Sequence, residues 1–153
     1  MGFGNPILSD DAVGVRLVRD LAARLSPTPE LEVVDECTAG GLEILDVLKG
    51  RDRVVLVDSI LTEGGVPGRW WRFTAAELRR TAHLAGIHDA SLGAALRVGR
   101  AVGMLLPRDE EIHVFAVEVE DAETFGEGLT PGLAAAYPRL LEEILPEVGR
   151  LVA

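Results

Sequence analysis

A helical pattern of apolar residues covers the segment Asp10–Leu25. Four apolar side chains recur at intervals of four residues and share one helical face: Val13, Leu17, Leu21 and Leu25. Ser9 stands directly before this segment, where its hydroxyl can accept from the free amides of a first turn, and Pro27 follows the segment. We therefore predict a helix over Asp10–Leu25 with Ser9 as its N-cap.

A strand pattern is clearest at Val54–Val57, a continuously apolar run rich in β-branched residues that ends at Asp58. Such a run is typical of a strand that is covered on both faces of a parallel sheet. Shorter patterns predict strands at Leu31–Asp35, Arg69–Phe73 and Ile112–Val119, and helices at Ala39–Leu48, Thr74–Arg80, Asp89–Leu105 and Pro131–Leu151.

The alternation of strands and helices predicts an α/β fold, a three-layer sandwich with a mainly parallel twisted sheet between helices. A chain of 153 residues is long enough for one well-cored domain, and we expect residues 1–153 to form it. A glycine-rich turn such as Gly2–Asn5 normally follows a strand, yet only Met1 precedes it. We therefore expect a truncated first strand, which would leave backbone groups of its neighbours without partners.

Charge and composition exclude several classes of function. The formal net charge of −10 is opposite to the clustered Lys and Arg that bind nucleic-acid phosphates, and it does not suit an anionic membrane. Apolar runs such as Val102–Leu106 are far shorter than the roughly 20 residues that cross a bilayer. No secretory signal pattern is present, and the lone Cys37 can form no intramolecular disulfide. We expect a cytoplasmic protein that neither binds nucleic acid nor inserts into a membrane.

Carboxylates follow the predicted strands. Ligands of open α/β sheets bind at the carboxyl ends of strands. Asp58 ends the most buried predicted strand, Asp35 ends the one before it, and the Gly2–Asn5 turn leads to Asp10 and Asp11 in the first helix. These places should face one another. Acids are also favoured in a first helical turn by the helix dipole, and a carboxylate at a strand end can cap it, so the residues alone leave structural and functional roles open.

One histidine stands where a ligand could project into a cleft. His88 precedes a predicted helix, whereas His113 alternates with apolar neighbours as a solvent-facing strand residue would, and His83 lies in a loop. Asp11, Asp58 and His88 together offer two carboxylates and one imidazole, a donor set that suits a borderline divalent ion such as nickel or zinc. Loop histidines are more often surface residues, so the spacing alone does not define a site.

Motifs of other enzyme classes are incomplete. The third glycine of G-x-G-x-x-G would fall at Ile7, and no Walker lysine follows. The zinc-protease motif HExxH and the serine-hydrolase motif GxSxG are absent, and we expect Cys37 to be a small buried residue. Asp10 and Asp11 diverge by about 100° around a helix axis, so they are poor partners for each other in an aspartic mechanism.

Several blocks of sequence resemble one family in their residues and in their order. They are Gly2–Val15, Cys37–Gly41, Val54–Asp58 with Pro67–Gly68 downstream, His88–Leu92 and Gly128–Pro131. Together they closely resemble the hydrogenase maturation proteases across nearly the whole chain. The segment Val117–Glu120 departs from the pattern, since some relatives carry a proline-containing turn there.

The resemblance implies a metal-dependent endopeptidase that removes the C-terminal tail of a nickel-loaded hydrogenase large-subunit precursor. It places the family's metal ligands on Asp11, Asp58 and His88, which would complete the coordination of nickel supplied by the substrate; other divalent ions could occupy the same site. Asp35 matches an acidic position near the cleft and is a candidate catalytic or recognition helper. We expect a monomer. The alternative is a non-catalytic nickel-sensing or chaperone module that docks on the large subunit.

Overall fold

The computed structural model describes residues 1–78 and 87–153, with the backbone alone for residues 87–91. Within these residues the helices are α1 (Val13–Arg24), α2 (Ile44–Leu48), α3 (Ala75–Leu78), α4 (Ile87–Ala101) and α5 (Pro131–Val152). The strands are β1 (Val54–Ile60), β2 (Trp70–Thr74) and β3 (Ile112–Glu118), and short 3-10 turns lie at Ser9–Ala12, Gly41–Glu43 and Asp109–Glu111. The predicted α/β class is confirmed.

Two local predictions are wrong. Ser9 caps no helix, because it lies inside the 3-10 turn with a φ of 27°, and its hydroxyl donates to the Gly128 carbonyl at 3.3 Å. Leu31–Asp35 forms no regular strand, and this part of the chain pairs through an isolated bridge at Cys37. Both differences come from contacts between segments that are remote in sequence, which local patterns do not contain.

The sheet is mixed, with the strand order β1-β3-β2. Beside β1, the segment Met1–Phe3 stands in the position of the expected first strand. The Phe3 amide donates to the Val57 carbonyl at 2.8 Å, and the Val57 amide donates to the Met1 carbonyl at 2.9 Å. On the other side, the Cys37 amide donates to the Gly2 carbonyl at 2.8 Å. The segment Met1–Phe3 therefore pairs with β1 on one side and with the chain around Cys37 on the other, and both bridges are parallel.

Residue contacts divide the chain into two compact units. The first comprises Met1–Thr38, Val55–Trp71 and Phe115–Ala153, and the second comprises Ala39–Val54 and Arg72–Val114. In the first unit, one face of α1 and one face of α5 pack on buried residues of β1 and β3. The predicted apolar face of α1 is confirmed, since Val13, Leu17 and Leu21 lie in this core and Leu25 packs at its edge.

The second unit contains α2, α3 and α4, and α4 contacts each of the other two. Its strand residues include His113, which is 7% exposed, so the interpretation of His113 as a solvent-facing residue is wrong. All seven residues of the central strand β3 are buried, so both of its faces are covered. Burial lowers the pKa of His113 from its usual value, and the charge of Arg72 lowers it further.

In the part of the chain that the structure describes, every helix is too short or too polar to cross a bilayer. The single cysteine, Cys37, is buried and free, as its sequence context predicted.

Candidate active site

The Gly2–Asn5 turn holds the carboxylate of Asp11. The Asn5 amide donates to Asp11 Oδ2 at 2.7 Å, and Asn5 Oδ1 accepts from the Ile7 amide at 3.1 Å. The turn requires glycine at position 4, because Gly4 has a φ of 127° and a Cβ there would overlap the Asp11 carbonyl oxygen. The turn therefore orients Asp11 directly. Its glycine at position 4 is explained by this backbone geometry, without a dinucleotide ligand.

A second glycine brings the start of α1 against β1. A Cβ at Gly14 would overlap the carbonyl oxygens of Phe3 and Val57, so only glycine permits this approach. Val57 directly precedes Asp58, and Asp11 precedes Gly14 by one helical turn. The close packing of backbone on backbone therefore brings Asp11 to the carboxyl end of β1.

Ser59 connects the two carboxylates. Its hydroxyl donates to Asp11 Oδ1 at 2.7 Å, and its amide donates to Asp58 Oδ1 at 2.8 Å. Asp11, Asp58 and Ser59 are each partly buried. Ser59 was not among the site residues predicted from the sequence, and its one sequence signal was its position directly after Asp58.

Asp35 has a different partner. Its carboxylate accepts from Arg19 Nε at 2.6 Å, and Arg19 also pairs with Glu36 at 3.0 Å. The hydrogen bond from Arg19 holds the pKa of Asp35 below its usual value. Both side chains of the Arg19–Asp35 pair are about half exposed, so solvent screens the pair and its contribution to stability is small. Asp35 thus faces α1, whereas Asp11 faces Asn5 and Ser59.

His88 lies in the first turn of α4 rather than before it, because the helix begins at Ile87. Its side chain lies outside the described residues, as does all of His83. Among the side chains that the structure does describe, no three His, Cys, Asp or Glu residues group closely enough to hold a metal ion. The described part of the site is therefore the Asp11–Ser59–Asp58 group.

The remaining lone pairs decide what this group can bind. A carboxylate offers about four acceptor positions, and the hydrogen bonds to Asn5 and Ser59 use two of those on Asp11. Donors behind a carboxylate fix its orientation and leave oxygen positions for a cation, which is the arrangement of outer-shell partners around metal ligands. The Asp11 carboxylate could hold a divalent ion through its remaining oxygen positions.

Comparison with known proteins identifies the family. The family model described as "HycI: Hydrogenase maturation protease" matches residues 15–147. The chain belongs to the hydrogenase maturation protease family. The curated Hydrogenase 2 maturation protease of Escherichia coli (strain K12) is 29% identical over 146 residues, which cover 95% of this chain and 86% of that protein. This protease is accordingly a hydrolase that acts on peptide bonds.

Solved structures share the fold of this protease. The hydrogenase maturating endopeptidase HybD from E. coli superposes with a TM-score of 0.72 at 26% identity, covering 96% of this chain and 88% of that one. The [NiFe] hydrogenase maturation protease HybD from Thermococcus kodakarensis superposes with a TM-score of 0.70 at 22% identity, covering 97% and 95% of the two chains. The second similarity concerns the fold alone.

The carboxylate of Asp10, next to Asp11 in the sequence, has a structural role. Asp10 is fully buried, and its oxygens accept from the amides of Glu120, Asp121 and Thr130 and from the Thr130 hydroxyl, at 2.6–3.3 Å. Asp10 therefore anchors the loop between β3 and α5. Asp10 and Asp11 therefore have different partners, because their side chains point in different directions from the same turn.

Proposed function

We propose that this protease removes the C-terminal tail of a hydrogenase large-subunit precursor that already carries nickel. Nickel belongs to the substrate in this proposal, and Asp11, Asp58 and His88 complete its coordination. The observation that carries the proposal is the Ser59 link, in which the hydroxyl of Ser59 donates to Asp11 and its amide donates to Asp58, in a family of peptidases.

The donor set supports nickel as the ion that is recognised. Nickel is a borderline divalent ion that accepts imidazole nitrogen together with oxygen ligands. Asp11 and Asp58 supply carboxylate oxygens, and His88 would supply a nitrogen. A bound divalent ion polarises a carbonyl or activates water, which is the chemistry that cleavage of a peptide bond requires. The chain's own part is to hold two oriented carboxylates where that ion arrives.

Asp35 acts at a distance from the ion in this proposal. Because its carboxylate is engaged by Arg19, Asp35 would support recognition of the substrate by fixing the Arg19 guanidinium, and it would not coordinate nickel. Asp35 is therefore a positioning residue in the proposal.

The proposal is tested by incubating the protease with nickel-loaded large-subunit precursor and following the intact mass of the precursor. We expect loss of a C-terminal fragment from the nickel-loaded precursor and no loss from the same precursor prepared without nickel. Equal cleavage of both preparations would show that nickel does not determine recognition of the substrate. A stable complex with uncut precursor would instead identify the non-catalytic docking module.

Ser59→Ala should lower kcat/KM for this cleavage by about 10-fold, because loss of an outer-shell hydrogen bond typically costs 10- to 100-fold in metal affinity or activity. The hydroxyl that orients Asp11 is removed, while the backbone amide that orients Asp58 remains. Ser59→Thr keeps a hydroxyl and is the matched control. If Ser59→Ala cleaves as fast as the unsubstituted protease, Ser59 does not position Asp11.

A further inference from the structure

An anchored loop of the first unit presents apolar side chains to solvent beside the site. Phe125 is 78% exposed and Ile7 is 52% exposed. Leu8 and Gly126 form a parallel bridge, with Ser9 donating to Gly126 and Gly126 donating to Ile7 at 2.9 and 3.0 Å. Ile7 and Phe125 directly precede the two bridged residues and so occupy neighbouring positions. We call these two side chains the apolar pair.

The loop that carries Phe125 is held at several points. Asp121 accepts from the amides of Glu123 and Thr124 at 3.0 and 2.9 Å, and the Glu127 carbonyl accepts from Arg16. The backbone around Phe125 is thus fixed by hydrogen bonds. A rigid loop that displays an aromatic ring in water is a feature of docking surfaces, where aromatic anchors contribute much of the binding energy.

The apolar pair is continuous with the site. The Ile7 amide donates to Asn5 Oδ1, and the Asn5 amide donates to Asp11 Oδ2. Two hydrogen bonds therefore connect the backbone of Ile7, through Asn5, to the first proposed nickel ligand. A chain that delivers a metal ion to Asp11 passes close to this surface.

The charge around the apolar pair selects its partner. Exposed carboxylates stand on both sides of Phe125 in the loop, at Glu123 and Glu127, and the sequence has no Lys or Arg between Arg108 and Arg139. A cation, Arg16 of α1, contacts the loop, and its guanidinium donates to the Glu127 backbone carbonyl. An apolar centre within an acidic rim is complementary to an apolar side chain that is flanked by Lys or Arg.

We propose that the apolar pair and its acidic rim dock a basic, apolar segment of the precursor during cleavage. This inference rests on the proposed function. Docking that precedes chemistry raises affinity without changing the chemical step, so its loss should appear in KM rather than in kcat.

Phe125→Ser should raise KM for nickel-loaded precursor about 10-fold and leave kcat within about twofold, the effect of an interface anchor. Phe125→Leu should restore most of the affinity. The matched control is Leu105→Ser, which removes an equally exposed apolar side chain, 79% exposed, after α4 in the second unit. An unchanged KM in Phe125→Ser, or an equal rise in Leu105→Ser, would overturn the docking surface.

The acidic rim has its own test. Glu123→Gln combined with Glu127→Gln should raise KM, and it should weaken the increase of KM with added salt, because fewer charges remain to be screened. An unchanged salt dependence contradicts a basic partner. A concentration-dependent dimer that Phe125→Ser abolishes would assign the surface to a second copy of the chain and would also overturn the proposal.

Failure of the proposed function can be distinguished from failure of the docking surface. If the unsubstituted protease leaves nickel-loaded precursor intact, the cleavage proposal fails, and the docking surface is then measured as the Kd for uncut precursor. In that case a Kd about 10-fold weaker in Phe125→Ser still supports docking, and an equal Kd rejects it.

Discussion

Asp58→Asn should lower kcat/KM for cleavage of nickel-loaded precursor by at least about 100-fold, because a divalent ion contributes several kcal/mol of transition-state stabilisation through its ligands. The substitution removes the negative charge and keeps the shape of the side chain. The amide oxygen can still accept from the Ser59 amide, which keeps that hydrogen bond. The measurement is the rate of fragment release by mass spectrometry, together with the melting temperature of the variant.

Two comparisons separate loss of the ligand from other causes. Asp52→Asn makes the same change on an exposed loop residue and should leave cleavage unaltered. Asp11→Asn combined with Asp58→Asn should lower the rate little more than one substitution does, since residues that serve one ion act as a unit. If Asp58→Asn cleaves at the normal rate with a normal fold, Asp58 does not bind the nickel.

Asp10→Ala should lower the free energy of unfolding by about 2–4 kcal/mol, because it leaves several part-buried donors without their acceptor. Four donors on the β3–α5 loop and at the start of α5 converge on this fully buried carboxylate, and three of them are backbone amides that cannot turn elsewhere. Denaturant unfolding of the variant and of the unsubstituted protease gives the difference.

An isosteric variant tests the cause of this loss. Asp10→Asn fills the same space but turns an amide NH2 group toward at least one donor, so it should recover only part of the lost stability. Asp52→Asn, on the surface, should stay within about 0.5 kcal/mol. Full stability of Asp10→Ala would show that the loop is held by other contacts.

Sequence patterns identified much of the fold because the elements concerned carry their own periodicity. The apolar face of α1 was predicted from the four-residue spacing, and the buried strand β1 was predicted from a continuous apolar run. The rule that ligands meet at strand ends selected Asp11 and Asp58, which Ser59 joins in the structure. The sequence did not predict the burial of His113, because alternation does not reveal that both sides of a strand are covered.

The roles of Asp11, Asp58 and His88 as nickel ligands are predictions, and the structure describes the side chains of the first two. His88 was chosen from its place before a predicted helix and from the family resemblance, and the structure places its backbone in the first turn of α4. Its role as a nickel ligand remains a prediction, which His88→Ala tests in the same cleavage assay.

The sequence by itself determined the α/β class and the family, and it selected Asp11 and Asp58 as candidate site residues. Those features depend on local periodicity and on motifs of adjacent residues. The tertiary structure alone decided that Asp10 anchors a loop while Asp11 faces the site, that Asp35 pairs with Arg19, and that Ser59 connects the carboxylates. Each of these roles depends on which donor a carboxylate meets, and the donors come from segments that only folding brings together.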